Sequence, residues 1–391
     1  MRPLKDLCAS ITDGEHGTIN DDSSGKYYLL SNKNLLNNSV VISIDDRKIN
    51  EETFKKINKR VRLQPHSILM STVGTVGKIS IVSEENLNYV FQRSVAVINV
   101  NPNLLDPYYL MALLESAPYQ KFLKDNATGS IQKCLFISTI ENIPIASIPI
   151  TKQQEIGSKF KHINSLIKKN NEIINELTNK IKDIYSYWFI DCYAEKRFND
   201  DNEFKQVSLI KNDMCSLIST GIEKFNGYKK YFSTSEVLGN DYSNSAKKIS
   251  YDNRESRANM RPKEFSVWFA KMKKSIKHIW FGKNSYLQNK IILSTGFAGL
   301  KCSSFSYSYI WSVINANDWF EKIKDSIATG STQEAINENG LSYILIKRPT
   351  DKCLEKYSEI VLPMIEQISK IKEENDTLYN LKSDYLEKLF F

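Results

Sequence analysis

No run of about 18 or more apolar residues occurs anywhere in this chain, so no stretch of it reads as a membrane-spanning helix. The first residues, MRPLKDLCASITDGEHGT, lack the hydrophobic region of a secretory leader, and a cytoplasmic protein is expected. Cysteine is scarce. The six (Cys8, Cys134, Cys192, Cys215, Cys302 and Cys353) lie far apart with no C-x-x-C pair, and read as free thiols. The four histidines, His16, His66, His162 and His278, are not spaced with other ligands for zinc. A complete phosphate loop is also missing. GTVGK at 74–78 is too short for one, and Lys78 is followed by Ile79 where a hydroxyl residue is needed.

One further motif is weighed and set aside. Asp106-Pro107-Tyr108-Tyr109 superficially resembles the aromatic-flanked proline motif of amino-methyltransferases. It follows NPNLL, however, and no glycine-rich loop after a strand is available to hold an adenosyl cofactor. Proline in the first turn of a helix accounts for it. The chain is expected to bind no metal or cofactor and to carry no catalysis of its own.

What is present is arranged in blocks. The 391 residues suit two globular units plus helices, and a 41% apolar fraction supports real cores. The formal charge of +8 is unevenly placed. Residues 1–150 carry 16 basic and 15 acidic side chains, and residues 151–195 carry 7 and 6. Residues 196–350 carry 24 and 15, while residues 351–391 carry 6 and 9. The positive excess belongs to the third block, which suits a polyanion-binding surface there.

The second and fourth blocks read as long helices. Ile156, Phe160, Ile163, Ile167, Asn170, Ile174, Leu177, Ile181, Ile184 and Trp188 follow one another at alternating intervals of four and three. That is a coiled-coil seam with a single polar position. Pro149 precedes it and Thr151 can cap it. Roughly 35 residues at about 1.5 Å each make a rod of about 50 Å. The second seam runs Val361, Met364, Ile368, Ile371, Asn375, Leu378, then loosens through Leu381, Tyr385 and Leu389. It also has one mid-seam asparagine, and Pro363 near its beginning marks a late start or a kink. Asn170 is expected to face Asn375, since a buried asparagine penalises registers in which it finds no polar partner. Each helix follows its own globule, so an antiparallel pair needs no return along the rod and is favoured.

The globules repeat one another. ATGSIQK at 127–133 and ATGSTQE at 328–334 each follow an amphipathic segment, YQKFLKD and WFEKIKD. Each is followed by an exit to proline and then by a long helix. This duplication implies pseudo-twofold symmetry. Strand-like runs in the first globule are 27–31, 40–44, 67–74, 78–82 and 95–100, with helices near 51–58 and 108–124. In the second they are 228–234, 265–272, 278–282, 290–296 and 307–314. The fold expected is α+β. Two similar mixed α/β domains (1–150 and 196–350) alternate with two spacer helices (151–195 and 351–391) that form an antiparallel coiled coil.

Residues 254–283 hold nine basic and two acidic side chains. Arg254, Arg257, Arg261, Lys263, Lys271, Lys273, Lys274, Lys277 and Lys283 interleave there with apolar anchors, a pattern suited to phosphate contacts. The arginines, Asn253, Asn259 and His278 are the better candidates for reading base edges. In the first globule the candidates are Lys26, Lys33, Arg60, Arg62 and Lys78, with Arg47, Lys48, Lys55, Lys56 and Lys59 nearby.

The chain resembles the DNA-specificity subunit of type I restriction–modification systems over nearly its whole length. The resemblance lies in TDGEHGT (12–18), SILMSTVGTVGKISIV (67–82), FQRSVAVI (91–98), the paired ATGS-x-Q segments, TKQQEI (151–156), FSVWFAKMKKSIKHIW and IILSTGFAGL. It implies two target-recognition domains, each reading half of an interrupted, asymmetric duplex target. Two modification subunits would dock near the helices and methylate adenine N6 with S-adenosylmethionine, and restriction subunits would add ATP- and Mg2+-dependent cleavage. Those cofactors would sit on the partners. The rival readings are a coiled-coil adaptor and a nucleic-acid-binding protein acting alone.

Overall fold

The computed structural model describes residues 1–43, 45–83, 87–130, 132–198, 204–242, 246–331 and 333–390. The expected strand 40–44 therefore ends on a residue, Ile44, outside the described set, as do the variable positions Ile131 and Thr332 of the two ATGS-x-Q segments. The chain forms two compact units, Met1–Lys169 with Leu378–Phe391, and Asn170–Thr377. Each long helix contributes to both.

In the first unit the central sheet has the order Cys8–Asp13, Val95–Val100, Ile68–Ser71, Ile79–Ile81, all antiparallel. Val95–Val100 is buried along its whole length, as its β-branched sequence suggests. Its side chains alternate between two cores. Ala96 and Ile98 join Ile68, Met70 and the helix Pro107–Glu115 on one face. Val95 and Val97 join Leu69, the smaller sheet Lys48–Ile49, Tyr27–Leu30, Tyr89–Phe91 and the helix Glu51–Val61 on the other. Asp106 caps Pro107–Glu115 by accepting from the Tyr109 amide at 2.8 Å, so the Asp-Pro-Tyr-Tyr stretch is a helix start.

The second unit repeats this plan. Its central sheet runs Cys215–Leu217, Phe297–Cys302, Ser266–Ala270, His278–Phe281, the same order of first, last, second and third strand. Lys248–Ile249, Lys229–Phe232 and Ile291–Ser294 correspond to the smaller sheet, with Ala258–Met260 added at its edge. Tyr27–Leu30 pairs in parallel with Tyr89–Phe91, and Lys229–Phe232 likewise with Ile291–Ser294. The duplication seen in short motifs is thus a duplication of topology. One sequence expectation is corrected here: residues 307–314 are not a strand. They belong to the helix Tyr307–Asn315, every residue of which is buried. A helix buried all round has no polar face to reveal its period, so its sequence is indistinguishable from a core strand. Ser308 and Ser312 fit inside because their hydroxyls bond Ser358 and Tyr357 at 3.3 and 2.8 Å.

The long helices span Ile150–Tyr185 and Asp351–Phe390. They pack antiparallel within each unit. In the first, the Tyr385 hydroxyl donates to the Ile156 carbonyl at 3.4 Å and Lys382 donates to Asn164 at 2.9 Å. In the second, Asn170 meets Asn375, while Ile181 lies in one cluster with Leu354, Val361, Ile365 and Ile368. The seams also enter the globular cores: Ile156, Phe160 and Leu386 belong to the first core, Ile181 and Tyr185 to the second. Met364 is half-buried beside a fully buried Ile365, and beyond Asn375 the buried positions are Lys382 and Leu386, with Leu381 53% exposed. Pro363 neither delays nor breaks the second helix, which begins at Asp351 and runs through it. Pro363 and Glu359, whose carbonyl loses its partner, both face solvent, so water can satisfy that carbonyl. The first helix widens into a π turn at Ser186–Ile190, which seats Trp188 against Tyr193, Phe198 and Tyr357.

Candidate nucleic-acid interface

In the second unit, the basic loop joining Ser266–Ala270 to His278–Phe281 is fixed almost entirely through its backbone. The Lys271 amide donates to Gly296 at 2.9 Å, that of Lys273 to Glu334 at 3.0 Å, and that of Lys274 to the Asp325 carboxylate at 3.0 Å. The Ile336 amide returns a bond to the Lys271 carbonyl at 2.9 Å. Beneath the loop lies a buried ionic group. Lys324, wholly shielded from solvent, pairs with Glu321 at 2.5 Å and donates to the Ala270 and Ser275 carbonyls at 3.2 and 3.0 Å. His278 completes it, its Nδ1 3.0 Å from Asn315 Oδ1 and its Nε2 3.0 Å from Glu321 Oε1. Burial opposes the Glu321 charge, yet the bonds from His278 and Lys324 hold its pKa below the ordinary value.

This placement removes His278 from the candidate base readers: it is 4% exposed and faces the core. It shares a strand face with Trp280, which packs against Trp311 of the buried helix, and the buried Glu321 carboxylate gives the polar side chain a partner. The others divide by their commitments. Lys274 and Arg257 are exposed, and so is Asn253, while Asn259 is half-buried. Lys273 pairs with Glu334 at 2.8 Å and Arg261 with Glu223 at 2.6 Å. Lys277 donates to the Thr234 carbonyl, and Arg254 stacks over the Tyr251 ring, 4.0 Å from its centroid. Lys271 is half-buried, and desolvation, followed by the charge of Arg257, lowers its pKa. Arg257, Lys271 and Lys277 share one neighbourhood. A Cβ at Gly296 would stand 2.9 Å from Thr234 and 3.5 Å from Arg257, and Gly296 accepts from the Lys271 amide.

The first unit holds the matching loop, residues 72–78, in the same way. The Gly74 amide donates to Lys133 at 2.9 Å and that of Leu135 to Thr72 at 2.8 Å; Gln120 donates to the Gly77 carbonyl at 2.8 Å. In both units the ATGS-x-Q segment is the clasp. Thr128 and Cys134 exchange backbone bonds, as do Thr329 and Ala335. Gly129 and Gly330 stand at φ +101° and +138°, where a Cβ would meet a carbonyl oxygen at 2.2 and 2.4 Å.

Of the first unit's candidates, Lys26 and Arg62 are exposed, Arg62 in the left-handed conformation that ends Glu51–Val61. Arg60 fastens the TDGEHGT turn, donating to the Asp13 and Gly14 carbonyls at 3.2 and 2.5 Å. Lys33 pairs with buried Asp46 at 2.7 Å, and Lys78 is half-buried. Sequence reasoning missed Arg93. It is exposed between two strands, and its amide bonds the Glu15 carbonyl at 2.9 Å, which joins it to the turn held by Arg60. A lone arginine gives no cluster signal; its position before the strand-like run 95–100 was the available clue.

Among the described residues, no group of three or more His, Cys, Asp or Glu side chains could hold a metal, and no helix is long and apolar enough to cross a membrane.

A duplicated α/β unit, strapped in each copy to an antiparallel helix pair, is the class this architecture defines. The fold is shared with the crystal structure of a type I restriction–modification S subunit from M. genitalium, at TM-score 0.57 and 15% identity over 100% of this chain and 95% of that one. Residues 1–179 match the family described as type I restriction modification DNA specificity domain. The chain is 26% identical over 160 residues to the EcoBI specificity subunit of Escherichia coli, covering 38% of this chain and 34% of that protein. It is 25% identical over 178 residues to the MjaIX specificity subunit of Methanocaldococcus jannaschii, covering 44% and 37%. The matches thus span about a third of the length of these relatives. The first 179 residues are thus similar to type I restriction–modification DNA specificity domains, and the whole chain shares the fold of a solved S subunit.

Proposed function

We propose that this chain reads an interrupted duplex DNA target, each α/β unit recognising one half, and thereby directs partner subunits that carry the chemistry. The observation that carries this reading is the same clasped, strand-end loop in both units, held largely through its backbone, with an exposed cation on or beside it: Lys274 on the second unit's loop, and in the first Arg93, whose carbonyl accepts from the Thr72 hydroxyl at 3.2 Å. Phosphate contacts from Arg93, Arg257 and Lys274 supply affinity and register, and neighbouring side chains read base edges. The partners are two adenine-N6 methyltransferase subunits, which bind S-adenosylmethionine, and restriction subunits, which use ATP and Mg2+. The chain itself is a non-catalytic, cytoplasmic specificity subunit. Flipping of the target adenine occurs in the partner's pocket, with this chain fixing position along the duplex.

Mapping of adenine methylation across the genome, with and without this gene, tests the reading. One interrupted, asymmetric motif is expected to lose its methylation on deletion and regain it on complementation. Unchanged methylation in a strain with active partner subunits would refute it.

A further inference from the structure

Each unit carries a short hairpin in which one residue is buried and its neighbour is not. In the first, Leu35–Leu36 pairs with Ser39–Val40; Leu35 is 2% exposed and Leu36 45%. In the second, Val237–Leu238 pairs with Asp241–Tyr242; Val237 is 0% exposed and Leu238 74%. A single exposed leucine is ordinary. The same exposed leucine at the same place in two divergent copies is not accounted for by chance exposure, and both are held rigidly.

The hairpin tips are clamped from two sides. One side is the last strand of the central sheet: the Ile81 amide donates to the Asn38 carbonyl at 3.2 Å, and the His278 amide to the Gly239 carbonyl at 2.8 Å. The other is the second long helix. Lys382, its side chain 10% exposed, donates to Asn38 Oδ1 at 2.7 Å, and Lys372, 11% exposed, donates to the Asn240 carbonyl. Further aliphatic surface lies beside each leucine, Val41 and Ile42 in the first unit and Ile276, 57% exposed, in the second.

The charges around these apolar points select their occupant. Lys78 lies two residues before Ser80, which bridges Asn38, and Lys277 itself bridges Gly239, with Lys274 on the same loop. Of the carboxylates near the hairpins, Asp46 is matched by Lys33 at 2.7 Å and Asp241 by Lys372 at 3.2 Å. An apolar tip flanked by lysine ammonium groups fits a duplex, whose thymine methyls and base-step faces are apolar and whose margins are phosphates.

We propose that Leu36 and Leu238 are the apolar contacts of the two units with DNA, each packing on base edges in a groove while the flanking lysines hold phosphate. This rests on the functional reading above. The test uses the full chain co-expressed with its methyltransferase partners, bound to the duplex motif found by methylation mapping and to a scrambled duplex of equal length. Leu36→Ser and Leu238→Ser should each weaken motif binding about ten-fold or more. Binding to the scrambled duplex and the salt slope should stay unchanged, and Leu238→Met should retain affinity. Since both side chains are exposed, melting temperature reports folding independently. Undiminished motif binding by both serine variants would overturn the proposal. So would loss of co-purifying methyltransferase with no change in DNA affinity, which would make the hairpins a protein-docking surface. Wild-type complex that binds both duplexes equally would instead defeat the functional reading itself, and this proposal with it.

Discussion

Asn170 donates through Nδ2 to Asn375 Oδ1 at 3.0 Å, and Asn375 in turn donates to Asn171 at 2.9 Å. Asn375 is 6% exposed in an otherwise aliphatic seam, so its amide must find these partners or lose stability. Only one antiparallel register brings the two side chains together. Asn375→Ala should therefore destabilise the second unit by about 1–3 kcal/mol, read from the urea midpoint. Replacing Asn170 and Asn375 together by leucine should recover or exceed wild-type stability but relax the register. Spin labels at the exposed positions Glu176 and Lys370 would show it, the distance distribution broadening in the double variant and staying narrow in the wild type. A narrow distribution in both would remove the register role.

The ionic group under the basic loop is a liability if halved. Lys324→Met leaves Glu321 buried with only His278 beside it, and should cost about 3–5 kcal/mol in the second unit. Denaturation followed by tryptophan fluorescence would report this, since Trp268 and Trp311 are wholly buried there. A combined Glu321→Leu, Lys324→Met replacement should cost less than Lys324→Met alone.

Acid sensitivity of the first unit should trace in part to Asp46. Burial raises its pKa, but Lys33, the Ser43 amide and the Asn34 side chain together hold it below the ordinary value of 3.8. A carboxylate whose folded pKa is depressed contributes stability above its unfolded pKa, and that contribution is lost as pH falls through the folded one. The loss therefore falls below about pH 4. Asp46→Asn should lower stability at neutral pH and flatten the acid limb of the stability profile. A limb of unchanged steepness would exclude Asp46 as its source.

Gly129→Ala and Gly330→Ala should each destabilise their unit by about 1–3 kcal/mol, since each adds a Cβ against a carbonyl at a left-handed backbone position. Hydrogen exchange should quicken at the Cys134 amide in the first variant and at the Ala335 amide in the second, since these amides close the two clasps. Equal protection in variant and wild type would show that the clasp tolerates the added methyl.

Salt dependence separates phosphate contacts from structural cations. Arg257→Gln and Lys274→Gln should each reduce the slope of log affinity against log salt by about one, across all duplex sequences. Arg60→Gln should act differently, loosening the turn it fastens to the Asp13 and Gly14 carbonyls and destabilising the first unit. An unchanged slope for Arg257→Gln and Lys274→Gln at low salt would take those residues out of the interface.

The long helices were legible because their apolar positions repeat every three and four residues, and the polar position of each seam stood out against leucine and isoleucine. The duplication was legible because glycine in a left-handed turn leaves a short, strict signature. Lys382 was not visible as a packed position. It is buried only because Glu115, Asn38 and Asn164 receive its ammonium, at 2.6, 2.7 and 2.9 Å, and none of them is near it in sequence. Similarly, the helix at Tyr307–Asn315 is hidden by being buried on every side, and His278 reads as a surface base until the carboxylate 43 residues away is placed beside it. The interface candidates were legible as a basic segment but not as individual roles, since ion pairing of Lys273 and Arg261 depends on acidic side chains brought in by folding.

The lysines that the second long helix lends to the hairpins have an evolutionary consequence. A head exchanged as residues 196–350 alone would leave Lys372 held against a foreign hairpin that need not supply the carboxylate of Asp241, which now pairs with it at 3.2 Å. The heritable cassette is the head together with its stretch of helix, and crossovers that respect that boundary are the ones expected to yield working hybrids.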